Sequence, residues 1–149
     1  MRAQIKRLGA DDGAQAEEAV RSFKKASRSV GSLEAFLRNP ANYLLVADVG
    51  GEAVGFLMAY RLERADRDAG QMFVYEVDVA AAWRRRGLAR ALLGEIVVLA
   101  RAEGMFEAFV LTSRSNVAAR RLYTRTGARV EDDSALLFVY PLALDGDAA

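Results

Sequence analysis

The chain has 149 residues, 52% apolar and 28% charged, which is typical of one folded domain with a sizeable core. Lysine and arginine number 21 and aspartate and glutamate 20, so the net charge of +1 argues against nucleic-acid binding by bulk positive charge. The absence of cysteine and histidine excludes thiol nucleophiles, Ser-His-Asp triads, histidine bases and most zinc sites. Acid–base chemistry is left to carboxylates, tyrosine, lysine or water.

The first half of the chain is predicted to form a strand, two helices and a hairpin. Acidic residues favour the start of the first helix, Ser32 is the expected cap of the second, and Asn39-Pro40 should end it. Gly50-Gly51-Glu52 is predicted to be the turn of the hairpin. The predicted elements are a strand in 1–9, helices in 11–26 and 32–40, strands in 43–49 and 53–60, and a polar connection over 61–70.

The second half is predicted to alternate strands and helices, with one strand–helix–strand unit between Gln71 and Thr112. Gly104 should end the longer helix, and Ser115 or Asn116 should cap the shorter one. The predicted elements are a strand in 71–79, a helix in 88–103, a strand in 107–112, a helix in 115–127, a strand in 134–142 and a frayed tail from about 142 to 149. The sequence therefore predicts a single mixed α/β domain over residues 1–149.

The N-terminal sequence lacks the apolar run of a signal peptide, and no apolar run in the chain is long enough to span a membrane. We therefore expect a cytoplasmic location and no membrane partner.

Three consecutive arginines, Arg84, Arg85 and Arg86, stand directly before Gly87 at the predicted start of the longer helix. A helix dipole is already positive at this end, so further cations are unfavourable there unless an anion binds. Glycine lets a ligand come close to the backbone, and the first turn of a helix has free N–H groups. The pattern indicates a diphosphate site, and the alternative interpretation is a solvated basic helix start.

Two motifs in this order make the chain similar to the GCN5-related N-acetyltransferase (GNAT) superfamily. They are Arg84-x-x-Gly87-x-Ala89 after one strand and Asn116-x-x-Ala119-x-x-Leu122-Tyr123-x-x-x-Gly127 after the next. The resemblance extends from the first strand to about Pro141. It implies an α/β fold with a mixed, mostly antiparallel central sheet flanked by helices. In it the 71–79 strand is bulged, and the central parallel strands splay apart.

This resemblance implies acetyl-CoA as the co-substrate, with no metal. Its pyrophosphate is expected on backbone N–H groups at the helix start, and its pantetheine arm along the end of the 71–79 strand. Tyr123 is expected beside the thioester sulfur as the acid that protonates the departing thiolate. The implied cofactor-binding residues are Val77, Val79, Arg84, Arg85, Arg86, Gly87, Leu88, Ala89, Asn116 and Tyr123.

Amine acetylation also needs a base, because a lysine-like amine has a pKa of about 10.4 and its deprotonation near pH 7 costs roughly 4–5 kcal/mol. Glu76 and Asp78 are two apart in an apolar strand, so they share one face of a regular strand and are expensive to bury without a purpose. We expect Glu76 to be the catalytic base or amine-binding group and Asp78 to support it. The alternative is that this face of the strand lies at the solvent-exposed mouth of the cleft, where the two acids are merely hydrated. A bulge would change which side each acid faces.

Within the superfamily, Ala59-Tyr60 and Tyr75-Glu76 resemble the aminoglycoside 3-N-acetyltransferase branch, which has Tyr-Asp at the second position. This implies direct transfer in a ternary complex to a 3-amino group, and hence antibiotic resistance. That branch carries an acidic segment where this chain has Thr112 to Asn116 with Arg114, so acetylation is favoured more strongly than the drug substrate. The expected substrate-binding residues are Tyr75, Glu76, Asp78, Asp132 and Asp133.

Three alternatives stay open. The acceptor could be a peptide or protein amine, a polyamine or a small metabolite amine, and the chain could instead be a non-catalytic acetyl-CoA sensor. Nucleic-acid binding through Arg84 to Arg86, Arg120 and Arg121 is disfavoured by the balanced charge. A homodimer is expected by analogy with the superfamily, and the apolar run at 136–142 could serve its interface or be a buried strand of the monomer.

Overall fold

The computed structural model describes residues 2–142, which form an open five-stranded sheet with helices packed on it. The helices are α1 (Gly13–Lys24), α2 (Val30–Arg38), α3 (Leu88–Ala102) and α4 (Val117–Arg125), with short 3-10 turns at Ala10–Asp12 and Ala81–Trp83. The strands are β1 (Gln4–Arg7), β2 (Asn42–Val49), β3 (Glu52–Arg64), β4 (Arg67–Val79) and β5 (Glu107–Val110). Between residues 2 and 142, no helix combines the length and the apolar character needed to cross a bilayer.

The strands lie side by side in chain order, β1-β2-β3-β4-β5. The first three pairs are antiparallel and the last pair, β4 with β5, is parallel. α3 connects β4 to β5, so the predicted strand–helix–strand unit is present. This is the mixed, mostly antiparallel sheet that the sequence predicts.

Both faces of the sheet are buried, as the alternation along β2 shows. Tyr43 and Leu45 belong to a core cluster with Leu92 and Ile96 of α3. The side chain between them, Leu44, belongs to a second cluster that includes residues of α1 and α2. Successive side chains of a strand point to opposite faces, so α3 covers one face and α1 with α2 covers the other.

The first two helices begin at other residues than predicted. Asp11 and Asp12 lie in the 3-10 turn before α1, where Asp12 Oδ2 accepts a hydrogen bond from the Gly9 N–H at 2.7 Å. Ser29, and not Ser32, caps α2, because the Ser32 N–H donates to Ser29 Oγ at 3.2 Å. The predicted cap was therefore wrong by one helical turn.

The predicted polar connection over 61–70 is also wrong, since β3 and β4 continue through it to a tight turn. Arg64 pairs with Arg67 across the sheet, and the Arg64 guanidinium donates to both Asp66 carboxylate oxygens at 2.8 and 2.7 Å. This end of the hairpin extends beyond the core, and both of its faces are exposed. A strand that is exposed to solvent on both faces lacks the alternation of apolar and polar residues, so its sequence resembles that of a loop.

The strand predicted at 134–142 does not form in the described chain, where no regular structure follows α4. Its apolar side chains are exposed instead of packed. The frayed tail predicted at the C-terminus lies, from residue 143 onward, outside the described residues.

Candidate active site

The candidate site lies where β4 loses its second neighbour. Gln71 to Val74 pair with β3 on one side and with β5 on the other, whereas Glu76 to Val79 pair with β3 alone. The parallel strands therefore part in the middle of β4, as predicted, and leave a gap beside its second half. We call this space the β4–β5 gap.

A β-bulge marks the point at which the strands part. Met58 lies opposite Glu76 and Ala59 lies opposite Val74, so Tyr75 is an extra residue in β4. A bulge bends its strand and increases the local twist, and β5 ends at Val110, opposite the last residue of β4 before the bulge. Glu76 and Asp78 both follow the bulge, so they still share one face of the strand.

The edge of β4 in the gap is only partly free. The Val79 N–H donates to Asp78 Oδ1 at 2.8 Å, and the Val79 carbonyl accepts from Arg84 Nε at 3.0 Å. Backbone groups two residues apart point to the same edge of an antiparallel strand, so Val77 presents its N–H and carbonyl to the gap as well. Val77 fits the predicted contact with a pantetheine amide, while Val79 already has two side-chain partners.

The start of α3 has the geometry of an anion site. Its cap is Gly87, which has no side chain to accept from the N–H groups of the first turn, including those near Leu88 and Ala89. Gly87 has φ 78° and Arg85 has φ 64°, both in the left-handed region. A left-handed residue followed by right-handed ones, as Gly87 is by the first turn of α3, turns successive N–H groups toward one point and forms an anion-binding concavity. Such a conformation costs a non-glycine residue such as Arg85 roughly 1–2 kcal/mol.

The three arginines have different surroundings. Arg84 folds back on β4, where its Nε binds the Val79 carbonyl and its Nη2 lies 3.6 Å from Asp78 Oδ1. The Arg86 guanidinium stacks on Trp83, 4.7 Å from the ring centroid. Arg85 makes no hydrogen bond or ion pair with the described residues. Arg84 therefore ties the loop to the strand, and Arg85 and Arg86 are better placed for an incoming anion.

Glu76 already holds an ammonium group. Its Oε1 accepts from Lys24 Nζ at 2.6 Å, and that hydrogen bond, with the negative charge of Glu76, raises the pKa of Lys24. Lys24 is the last residue of α1 and lies 52 positions from Glu76 in the chain. Lys24 was not predicted from the sequence, because no local pattern shows that the end of α1 reaches β4.

Aromatic rings continue from the bulge along the sheet. Tyr75 is 56% exposed and packs edge-on against Tyr60 and Phe73, with centroids 6.0 and 5.8 Å apart. Phe73 stacks on Phe109 of β5 at 4.8 Å. Tyr60 and Tyr75 were singled out from sequence, whereas Phe73 and Phe109 were not. Exposed aromatic faces bind cations and the apolar faces of sugars, so this row is suited to an amine substrate.

α4 carries the other two predicted residues. Asn116 caps the helix, with Oδ1 accepting from the Ala119 N–H at 3.1 Å. Tyr123 is half-buried against the cluster that contains α3, and burial raises the pKa of its phenol. Its hydroxyl has no hydrogen-bond partner among residues 2–142. The phenol thus stays protonated at neutral pH, as an acid requires.

The structure does not bring Asp132 and Asp133 into contact with Glu76 in the described part of the chain. The Asp133 carboxylate lies 3.5 Å from Arg114 Nη2, which also donates to the Asp133 carbonyl at 2.5 Å. Asp132 Oδ1 accepts from the Ser134 hydroxyl at 2.7 Å and from its N–H at 2.9 Å, and these bonds lower the pKa of Asp132. Both acids therefore have local partners.

Residues 13–128 match the model of the Acetyltransferase (GNAT) family. The chain belongs to this family and is an acetyltransferase, which confirms the prediction made from the two motifs.

Individual relatives agree with this assignment. An uncharacterized N-acetyltransferase of Mycobacterium bovis is 25% identical over 117 residues, which cover 78% of this chain and 72% of the relative. The aminoglycoside acetyltransferase HMB0005, from an uncultured soil metagenomic sample, is 28% identical with a TM-score of 0.85, over 96% of this chain and 100% of that chain. Meta-AAC0020 is an aminoglycoside acetyltransferase from an uncultured soil metagenomic sample, and its structure was solved in complex with sisomicin. It is 22% identical with a TM-score of 0.87, over 95% of this chain and 97% of that chain. These similarities confirm the predicted GNAT fold.

The fold is shared by acetyltransferases with different acceptors. The aminoglycoside N-acetyltransferase AAC(6')-Iy, solved in complex with CoA, has a TM-score of 0.75 at 16% identity, over 95% of each chain. The ribosomal-protein-alanine N-acetyltransferase of Brucella melitensis has a TM-score of 0.73 at 23% identity, over 93% of this chain and 100% of that chain. The fold alone therefore does not choose the acceptor.

Proposed function

We propose that this enzyme transfers the acetyl group of acetyl-CoA to a primary amine by direct attack in a ternary complex. We further propose that the amine is the 3-amino group of an aminoglycoside. The observation that carries the proposal is the position of the β4–β5 gap, which opens next to an α3 start without a side-chain cap. Backbone hydrogen bonds for a pantetheine arm and N–H donors for a diphosphate are thus neighbours.

The donor side follows from charge and backbone geometry. The N–H groups of the first turn of α3, together with Arg85 and Arg86, would bind the pyrophosphate, and charge-assisted hydrogen bonds to phosphate are about twice as strong as neutral ones. Val77 would pair with the pantetheine arm. Arg84 and Asp78 would position the loop, because they connect it to the end of β4.

The acceptor side depends on Glu76. A carboxylate that holds the Lys24 ammonium in the free protein can hold a substrate ammonium in the same way, once Lys24 is displaced. Glu76, directly or through water, would take the proton from the amine, and the amine nitrogen would form its bond to the acetyl carbon. The carbon–sulfur bond then breaks, and Tyr123 would donate its proton to the thiolate.

The choice of an aminoglycoside is supported by three features. HMB0005 and meta-AAC0020, which share the fold over nearly the whole chain, are aminoglycoside acetyltransferases. The exposed Tyr75 ring and the Glu76 carboxylate provide an apolar face and a negative charge, both of which suit an amino sugar. The positive charge of Arg114 is paired with Asp133, so it opposes a polycation less than its sequence position suggests.

The deciding experiment measures acetyl-CoA-dependent thiol release with gentamicin, kanamycin, spermidine and a lysine peptide, each offered separately. Rapid turnover with the two drugs, and addition of one acetyl group located on the 3-amino nitrogen, is the expected result. Turnover only with spermidine or the peptide would keep the mechanism and reject the drug substrate. Acetyl-CoA binding without turnover of any of the four amines would contradict the proposed acceptors and favour the sensor hypothesis.

A further inference from the structure

The last turn of α1 is held against the sheet by aromatic packing. Phe23 stacks on Phe56 of β3, with ring centroids 4.8 Å apart. Phe56 lies opposite Asp78 in the sheet, and Met58 lies opposite Glu76. These two β3 residues are part of the cluster packed under α1 and α2, so the acids opposite them point to the same side of the sheet. The end of α1 and the open half of β4 therefore face each other.

Lys24, the residue after Phe23, reaches Glu76 from this position. Its Nζ lies 2.6 Å from Glu76 Oε1, and in residues 2–142 no other group accepts a hydrogen bond from it. The two side chains are 41% and 28% exposed. An ion pair this exposed contributes little to stability, so a competing ammonium group can take the place of Lys24.

The chain has three lysines, and the other two have different surroundings. Lys25 lies directly after α1 with a φ of 63°, and its side chain makes no hydrogen bond or ion pair with the described residues. Lys6 Nζ lies 3.5 Å from Gln15 Oε1. Within the described chain, Lys24 is thus the one lysine amine that contacts the proposed base, Glu76.

The proposed binding of acetyl-CoA brings its thioester toward this amine. Val77, which would pair with the pantetheine arm, directly follows Glu76, and consecutive Cα atoms are about 3.8 Å apart. The acetyl group would therefore arrive beside the carboxylate that holds the Lys24 ammonium. Two groups held together in one molecule react faster than the same groups that must first meet in solution.

We propose that Lys24 is a site of self-acetylation, at which the enzyme transfers the acetyl group of acetyl-CoA to its own Nζ when no amine substrate is bound. The proposal rests on the proposed function, since it uses the same donor and the same base. A substrate ammonium at Glu76 displaces Lys24 and thereby protects it. The modification therefore belongs to the enzyme that has acetyl-CoA and no acceptor.

The step follows the chemistry proposed for a substrate amine. The Lys24 ammonium gives one proton to Glu76, and the neutral nitrogen then bonds to the acetyl carbon as the carbon–sulfur bond breaks. The nitrogen loses a second proton when the amide forms. One proton ends on the CoA thiol, delivered through Tyr123, and the other passes to water. The hydrogen bond to Glu76 raises the pKa of Lys24, so the amine is mostly protonated near pH 7 and the reaction should be slow.

Acetylation would remove the charge that binds Lys24 to Glu76. An acetylated lysine is neutral and forms no ion pair, so the carboxylate becomes free for the ammonium group of a substrate. Self-acetylation would thus activate the enzyme by lowering its KM for a cationic amine.

The test incubates the wild-type protein with acetyl-CoA alone, near pH 8, and maps the acetyl groups by mass spectrometry. Cleavage after Glu18 and Glu34 releases residues 19–34, whose only lysines are Lys24 and Lys25. Fragmentation of this peptide assigns each acetyl group to one of them. We expect Lys24 to be acetylated about tenfold faster than Lys25, an exposed neighbour that measures uncatalysed acetylation by the thioester. Equal rates at the two lysines would overturn the proposal.

A second experiment tests that transfer occurs within one chain. The rate constant for Lys24 acetylation should be unchanged when the protein is diluted about tenfold, because no second chain takes part. Glu76→Gln, tagged for separate recovery and mixed with wild type, keeps Lys24 but lacks the base. Its Lys24 should be acetylated only as fast as its Lys25. Acetylation of Lys24 in the tagged chain at the wild-type rate would overturn the proposal.

The same preparations separate a failure of self-acetylation from a failure of the proposed function. Turnover of an amine with Lys24 unmodified in acetyl-CoA alone would reject self-acetylation and keep the acetyltransferase mechanism. Acetylated Lys24 without turnover of any of the four amines would support self-acetylation and reject the proposed acceptors. With an amine that does turn over, the acetylated enzyme should show a KM severalfold lower than the unmodified enzyme. An equal KM would reject the activating effect.

Discussion

The two halves of β4 show how one strand serves stability at one end and binding at the other. Beside the paired half, polar groups of β2, β3 and the end of α3 satisfy one another. Buried Tyr43 donates its hydroxyl to Glu103 Oε1 at 2.6 Å, and Arg61 Nη1 lies 3.4 Å from the same oxygen. In the open half, the edge at Val77 and the first turn of α3 have no such partners among residues 2–142. The contrast shows that this protein keeps its free hydrogen-bonding groups where the sheet opens.

The largest expected effect comes from a negative charge at the open end. Gly87→Glu should weaken acetyl-CoA binding about a thousandfold, because a carboxylate would stand where phosphate binds and like charges cost several kcal/mol. Calorimetric titration measures the change. Gly104→Glu is the matched control, since Gly104 also has a positive φ, 72° against 78°, and open space, but follows the other end of α3. Equal affinity in Gly87→Glu and wild type would reject the phosphate site.

Removal of the proposed base should be the next largest effect. Glu76→Gln keeps the size of the side chain and should lower kcat about a hundredfold, at the lower end of the range for general-base catalysis. Steady-state kinetics over pH 6 to 9 should also show a changed pH profile. Lys24→Met should lower KM for the amine without lowering kcat, because it removes a competing ammonium. A Glu76→Gln enzyme with the wild-type profile would leave Glu76 a binding residue at most.

Tyr123→Phe should lower kcat about tenfold with little change in acetyl-CoA affinity. The effect is smaller because a thiolate, whose conjugate acid has a pKa of about 8.5, can leave without full protonation. The half-buried ring stays in place, so packing is retained. Stopped-flow measurement of thiol release separates the chemical step from binding. An unchanged rate of that step would remove the acid role.

The smallest effect is expected at the paired end. Tyr43→Phe should leave kcat and KM unchanged and lower the free energy of unfolding by about 1–2 kcal/mol, since Glu103 loses a donor. Urea titration at pH 8 measures this change. A kinetic defect in the variant would show that the Tyr43 cluster is coupled to the open half of β4.

The contribution of Tyr43 to the free energy of unfolding should depend on pH. Burial raises the pKa of Tyr43 from 10.0 to about 12, so the folded state binds the proton more tightly than the unfolded state. Its contribution to stability is full below pH 10 and is lost as pH rises toward 12. The stability advantage of wild type over Tyr43→Phe should therefore shrink between these values, and a constant difference would contradict this origin.

Local sequence patterns predicted the parts of the site that depend on neighbours in the chain. Gly87 before an apolar helix predicted the α3 start, and Asn116 was one of two caps predicted for α4. The separation of β4 from β5 followed from the resemblance. A bulge in this strand followed from it too, but its position at Tyr75 did not, because that position is defined by register against β3 and depends on contacts with that strand.

By itself, the sequence determined most elements of the fold, because glycine, helix caps and apolar periodicity act over a few residues. Through the resemblance of its two motifs, it also determined the family and the acetyltransferase class. Only the tertiary structure decided that Lys24 holds Glu76, that Arg84 turns back to Val79, and that the run at 134–142 forms no strand in the described chain. Those features depend on residues distant in the chain, and a strand also needs a partner edge. The same apolar sequence therefore forms a strand where it pairs with the edge of another strand, and stays an exposed segment where it does not pair.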